Sequence, residues 1–160
     1  MEIRKPDASL VRAGFLLFTL ALLTGFAIPA FLNQKMALAA HVTSVLNALV
    51  LIALGLAWGL LAVTPLQARL TRGAFLYAAY FSWVASCLAA AWGTNRLTPL
   101  SGVGYGAVAW KESVVQALQV SITIVILAGA VSVVYALRPR AGASELNAGS
   151  RATTRPYESA

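Results

Sequence analysis

Four long apolar stretches without a charged side chain, at about residues 13–32, 38–64, 73–92 and 113–136, constrain this chain more than any other feature. Each reaches or exceeds the roughly 20 residues that carry a helix across about 30 Å of hydrocarbon. A backbone facing lipid must satisfy its own hydrogen bonds, so such runs cross as helices or as a closed barrel. A barrel needs short alternating segments, whereas these runs are continuous. The composition agrees: 59% of the 160 residues are hydrophobic and 11% charged, against roughly 45–50% and 25% in soluble proteins. That balance argues against a soluble enzyme, a disordered hub or a nucleic-acid-binding domain. The expectation is an all-α integral membrane protein with four transmembrane helices and the lipid bilayer as its first partner.

The first stretch is too long for the roughly 7–15-residue core of a signal peptide. Its best small-residue site, Ala27-Ile28-Pro29-Ala30, has a proline at the cut and Phe26 and Phe31 on either side. It reads as a retained helix. Residues 1–137 form the predicted transmembrane domain. The basic segment 138–160, poor in large apolar side chains, reads as a disordered tail.

The net charge of +7 expresses topology better than it expresses a polyanionic partner. With four alternating helices, Arg4, Lys5, Arg12, Arg69, Arg72, Arg138, Arg140, Arg151 and Arg155 fall on one side, and Lys35, Arg96 and Lys111 on the other. Nine against three predicts that both termini are cytoplasmic.

Buried polar groups are costly in hydrocarbon, so function is sought there. The second helix groups His41, Thr43, Ser44 and Asn47. At about 100° per residue, Asn47 lies about 120° round from His41, which makes a broad wedge. His41 is the one histidine of the chain. A neutral imidazole there is a metal or haem ligand, a general base, or a hydrogen-bonded packing residue. In the fourth helix, Glu112, Gln116, Gln119 and Thr123 share a face, which reads first as hydrogen-bonding glue between helices. The third helix carries Tyr77, Tyr80, Ser82, Trp83, Ser86 and Cys87, with Tyr80, Trp83 and Cys87 on one face. Gly55 and Gly59 form a small-xxx-small step that permits close helix approach. The glycine-rich connection 93–112, with Tyr105 and Trp110, suits an interfacial anchor or a binding lid.

Other chemistry is missing. One cysteine, Cys87, allows no intramolecular disulfide. No acid lies within a span, which argues against a Ser-His-Asp set and against a proton-coupled multidrug exporter. There is no phosphate loop and no carboxylate cluster for a divalent metal. A haem-bearing membrane anchor subunit is the other competing class.

The stretch AHVTSVLNA at residues 40–48, followed by LVLIALGLAWGLL, resembles the second helix of the hydroxylaminobenzene mutases. WGTNRLTPLSGVGYGAVAWKESVV, residues 92–115, is similar to the loop that enters their fourth helix. The His-x5-Asn step is more distantly similar to that of the membrane styrene oxide isomerases. The resemblance implies a bacterial inner-membrane isomerase of nitroaromatic degradation. It would rearrange hydroxylaminobenzene to 2-aminophenol by moving the hydroxyl within the molecule. It also implies a ferric haem b acting as Lewis acid and a homotrimer with haem near subunit interfaces. Carried onto this chain, His41 becomes the axial ligand of the haem iron and Asn47 a polar group aimed at the substrate oxygen. Tyr80 and Ser82 are the third-helix catalytic candidates. The sequence departs from the pattern at Ala48, where glycine is expected, and at Ser82-Trp83, where an Asn-Trp pair fits better.

Overall fold

A computed structural model describes residues 5–137, and the predicted disordered tail lies outside the described residues. Four helices are long and apolar enough to cross a membrane: α1 (Ala8–Ala27), α2 (Gln34–Ala57), α3 (Pro65–Trp92) and α4 (Ala109–Ala136). The protein is an all-helical, multi-pass membrane protein.

Each helix starts ahead of its charge-free run, and α1, α2 and α3 start at side-chain caps in the connections. Asp7 accepts hydrogen bonds from the backbone N–H groups of Ser9 and Leu10 and starts α1 at Ala8. Asn33 does the same for Met36 at the start of α2. Thr64 and Gln67 form a reciprocal capping box with Pro65 in the first turn of α3, where its missing N–H costs nothing. Arg12, Arg69, Arg72 and Lys111 therefore sit inside the first turns of helices. Such side chains reach back to the interface along their aliphatic stems. α1 stops at Ala27 and tightens into a 3-10 turn, Ile28–Ala30, because Pro29 has no N–H to continue the ladder.

The helices pack in sequence order. The α1–α2 contact is the most extensive, α3–α4 and α2–α3 follow, and α4 packs on neither α1 nor α2. The α1–α2 pair is drawn tight by glycines. A Cβ on Gly14 would lie 2.6 Å from Ile52 Cγ1, and one on Gly55 would lie 2.8 Å from Val11 Cγ2. Only the first glycine of the Gly55/Gly59 step belongs to α2. Gly59 falls in a 3-10 turn, Trp58–Leu60.

Two side-chain hydrogen bonds join α3 to α4: Thr71 Oγ1 with Ser132 Oγ at 2.7 Å, and Tyr77 OH with Ser121 Oγ at 2.8 Å. The Gln116–Gln119–Thr123 line contributes neither. Thr123 is exposed and bonds back to the Gln119 carbonyl at 2.9 Å. Glu112 is buried and folds the loop ahead of it, accepting from the backbone N–H groups of Asn95 (3.0 Å), Arg96 (3.2 Å) and Ala107 (3.4 Å). Asn33 ties the same loop to the α1–α2 connection, donating from Nδ2 to the Ser101 carbonyl at 2.8 Å while its N–H bonds Ala90 O at 3.0 Å. Lys111 lies over the Trp92 and Trp110 rings at 5.6 and 5.7 Å. Trp110 itself is exposed, an arrangement suited to the headgroup layer. At the opposite end, Ala62 N–H bonds Ala136 O, Asp7 N–H bonds Gly55 O, and Arg72 pairs with Asp7 at 3.8 Å.

Candidate active site

The α2 wedge of polar residues divides between two environments. His41 turns toward α1, where its Nδ1 lies 2.7 Å from the Ala21 carbonyl oxygen. A carbonyl can only accept, so Nδ1 carries the hydrogen in this contact, and in a neutral ring Nε2 would then hold the lone pair. Metal-ligating histidines are held this way, with the second nitrogen bonded to a carbonyl or carboxylate. Ser44 is fully buried, and its Oγ has no partner among the described residues. Thr43 is exposed on the outer face of α2.

Asn47, six residues on, has risen about 9 Å along the helix and turned about 120° from His41. It faces a cavity of about 200 Å³ between α2, α3 and α4. Ser82 of α3 lines the same space, and Phe75, Ala78, Ile122 and Ile126 supply apolar walls. Both Asn47 and Ser82 are half-buried, and neither makes a side-chain hydrogen bond within the described residues. An amide with two donors and an acceptor left open in an apolar pocket is costly unless something else satisfies it. A dry apolar cavity of about 150 Å³ suffices to bind benzene, so this one matches a single aromatic ring carrying a small polar group.

Larger spaces exist but lack this chemistry. A groove of about 610 Å³ on the outer face of α3 and α4 is almost wholly apolar and holds none of the candidate residues. His41 lines none of these cavities. Its ring is partly exposed at the α2 surface. One imidazole held in this way fits a single bond from Nε2 to a haem iron. No group of three His, Cys, Asp or Glu side chains suited to a metal ion occurs among the described residues.

The third-helix candidates separate as well. Ser82 lines the same cavity as Asn47, whereas Tyr80 donates its hydroxyl to the Ala13 carbonyl of α1 at 2.8 Å. Trp83 Nε1 donates to Thr24 Oγ1 of α1 at 3.0 Å, so the Tyr80–Trp83–Cys87 face packs against α1 instead of lining the cavity. Sequence reasoning missed three participants: the Ala21 carbonyl, Thr24, and the apolar walls Phe75, Ile122 and Ile126. Nothing in the sequence marks a main-chain carbonyl, and ordinary apolar residues carry no signal of which void they border.

Of the two departures from the mutase pattern, Ala48 is fully buried, with its carbonyl against Gly14 of α1. Ser82 lies directly in the cavity, where a hydroxyl replaces the expected amide.

A family model described as styrene oxide isomerase matches residues 7–138. Hydroxylaminobenzene mutase HabB of Ectopseudomonas oleovorans is 38% identical over 77 residues, which are 48% of this chain and 47% of HabB. The match thus spans about half the length of that curated relative. No solved structure matches.

Proposed function

This chain belongs to the styrene oxide isomerase family, and on that premise we propose that it is a membrane mutase rearranging hydroxylaminobenzene to 2-aminophenol. The observation that carries the reading is the unpartnered Asn47 amide, beside Ser82, in a cavity the size of one aromatic ring. The name of the mutase HabB, which this chain resembles over part of its length, supports the choice of substrate.

The reaction is an isomerisation and needs neither oxidant nor reductant. The N–O bond breaks and a C–O bond forms at the ortho carbon. The ortho proton leaves, and a proton is returned to nitrogen to give the amine. Asn47 Nδ2 donates a hydrogen bond to the migrating oxygen and stabilises the charge it gathers as the N–O bond stretches. The Ser82 hydroxyl accepts from the substrate N–H on the facing wall. Phe75, Ile122 and Ile126 hold the ring and exclude the water that would otherwise capture a ring cation. His41 would hold a ferric haem b through Nε2, a group that would supply Lewis-acid chemistry when bound; His41 itself faces α1 and borders no part of the Asn47–Ser82 cavity. The same reading sets both termini in the cytoplasm of a bacterial cell. It also assembles the chain as a homotrimer, with neighbouring copies supplying cover for the haem.

The test is an absorption spectrum of the detergent-purified protein before and after phenylhydroxylamine, with products separated by chromatography. A Soret band that shifts with substrate, and 2-aminophenol formed without reductant, is the expected result. His41→Ala removes both. Haem retained at full occupancy in that variant would rule out the axial assignment. A low-spin, six-coordinate spectrum that cycles with reductant but gives no product would point to a haem-bearing anchor subunit instead.

A further inference from the structure

The His41 ring lies against a residue of α1 that has no side chain. A Cβ built on Gly25 of α1 would lie 2.8 Å from His41 Nδ1 and 3.0 Å from Cε1. Real Cβ atoms do not approach so closely, and an imidazole is a rigid ring that cannot fold its end away. A larger residue at position 25 therefore forces a shift, and the ring in its way is the one whose Nδ1 meets the Ala21 carbonyl at 2.7 Å. Ala21 and Gly25 are four residues apart and so share one face of α1. One supplies the acceptor and the other the space.

A third helix holds this turn of α1 in place. Thr24 is buried, donates to the Leu20 carbonyl at 2.9 Å, and accepts from Trp83 Nε1 of α3 at 3.0 Å. The turn 20–25 is thereby held by α3 as well as by α2. Ordinary helix packing requires no such arrangement. Elsewhere at this interface, Gly14 admits an aliphatic side chain, Ile52, and a backbone carbonyl, which seat no polar ring.

We propose that Gly25 and the Ala21 carbonyl form a cradle that fixes His41 as the Nδ1–H tautomer, so that Nε2 is the nitrogen this protein offers to its ligand. Gly25 is a positioning residue that acts through His41. That the ligand is haem iron rests on the function proposed above, whereas the tautomer does not.

With one histidine in the chain, 15N-histidine labelling of the full-length protein in lipid nanodiscs gives a single imidazole to read by NMR. The expected spectrum, recorded without porphyrin, is that of an Nδ1–H, Nε2-unprotonated ring. Gly25→Ala should move the ring toward the Nε2–H form and weaken binding of added ferric protoporphyrin by about 10–100-fold, the usual effect of losing an orienting partner. Helix content by circular dichroism should be unchanged. Gly14→Ala is the control. It crowds the same helix pair and should lower thermal stability without changing the tautomer.

A wild-type ring protonated at Nε2 overturns the cradle, and this reading stands even if Gly25→Ala fails to fold. Equal changes in tautomer and affinity from Gly14→Ala and Gly25→Ala would also overturn it, reducing Gly25 to packing. An Nδ1–H ring in a wild-type protein that binds no porphyrin supports the cradle and removes the haem reading. Porphyrin binding by an Nε2–H ring does the reverse.

Discussion

Asn47 on α2 and Ser82 on α3 border one cavity of about 200 Å³, and neither spends its polar atoms on the protein. Several other polar side chains of the bundle are engaged, although the buried Ser44 Oγ is not. Thr24, Thr71, Tyr77 and Tyr80 each bond across a helix pair or to their own backbone. The contrast separates groups that hold helices together from groups left open to a ligand.

Asn47→Leu should lower kcat by about 100-fold, the scale of losing one hydrogen-bond donor to developing negative charge. Thermal stability should hold or rise, because an unpartnered amide leaves an apolar cavity. Steady-state turnover together with thermal unfolding of the purified variant checks both halves. Unchanged turnover would remove Asn47 from the site.

Filling the cavity should act on binding. Ala78→Leu projects added carbon into the space that the substrate ring occupies, and kcat/KM should fall by about tenfold or more. Haem content should stay at the wild-type level, since His41 faces α1 and not this wall. A variant with full activity would place the substrate elsewhere.

Glu112→Gln should loosen the loop between α3 and α4. The carboxylate accepts from the N–H groups of Asn95, Arg96 and Ala107, and hydrogen bonds to a charged group are worth about 1.5–3 kcal/mol. Tryptic cleavage after Arg96 in detergent should quicken by about tenfold or more. An unchanged cleavage rate would show that other ties, such as Asn33 to Ser101, suffice to hold the loop.

Acid should weaken the start of α1. Burial raises the pKa of Asp7, but hydrogen bonds from Ser9 and Leu10 and the nearby Arg72 charge outweigh it, so its carboxyl sits below the ordinary value. A depressed folded-state pKa contributes stability that is present above the unfolded value of about 3.9. That contribution is lost as pH falls through the folded value. Asp7→Asn keeps a competent N-cap and loses the charge. The wild type should therefore melt above the variant at pH 6, and the gap should close only as pH falls below the ordinary carboxylate value and through the lower folded-state one.

The four helices were legible because hydrocarbon imposes one strict rule. A long charge-free run must satisfy its backbone internally, and residues 13–32, 38–64, 73–92 and 113–136 obey that rule without reference to neighbours. The helices that contain these runs begin several residues earlier. Asp7, Asn33 and the Thr64–Gln67 box set the starts of α1, α2 and α3, and a cap is a polar signal that lies outside the apolar run. His41 and Asn47 were singled out because polar atoms in lipid always demand a partner.

The identity of each partner was a matter of three dimensions. Helical periodicity puts His41 and Asn47 about 120° apart, but it does not say that α1 meets one and α3 with α4 meets the other. The Ala21 carbonyl is chemically the same as every other carbonyl in α1. It becomes the partner of Nδ1 because Gly25 lets the ring lie against the helix. Tyr80 and Ser82, two residues apart, point to different helices for the same reason: rotation about α3 sends one to Ala13 and the other to the cavity. Hydropathy and spacing are local along the chain. The pairing of faces depends on which helices pack, and packing is decided by the whole bundle.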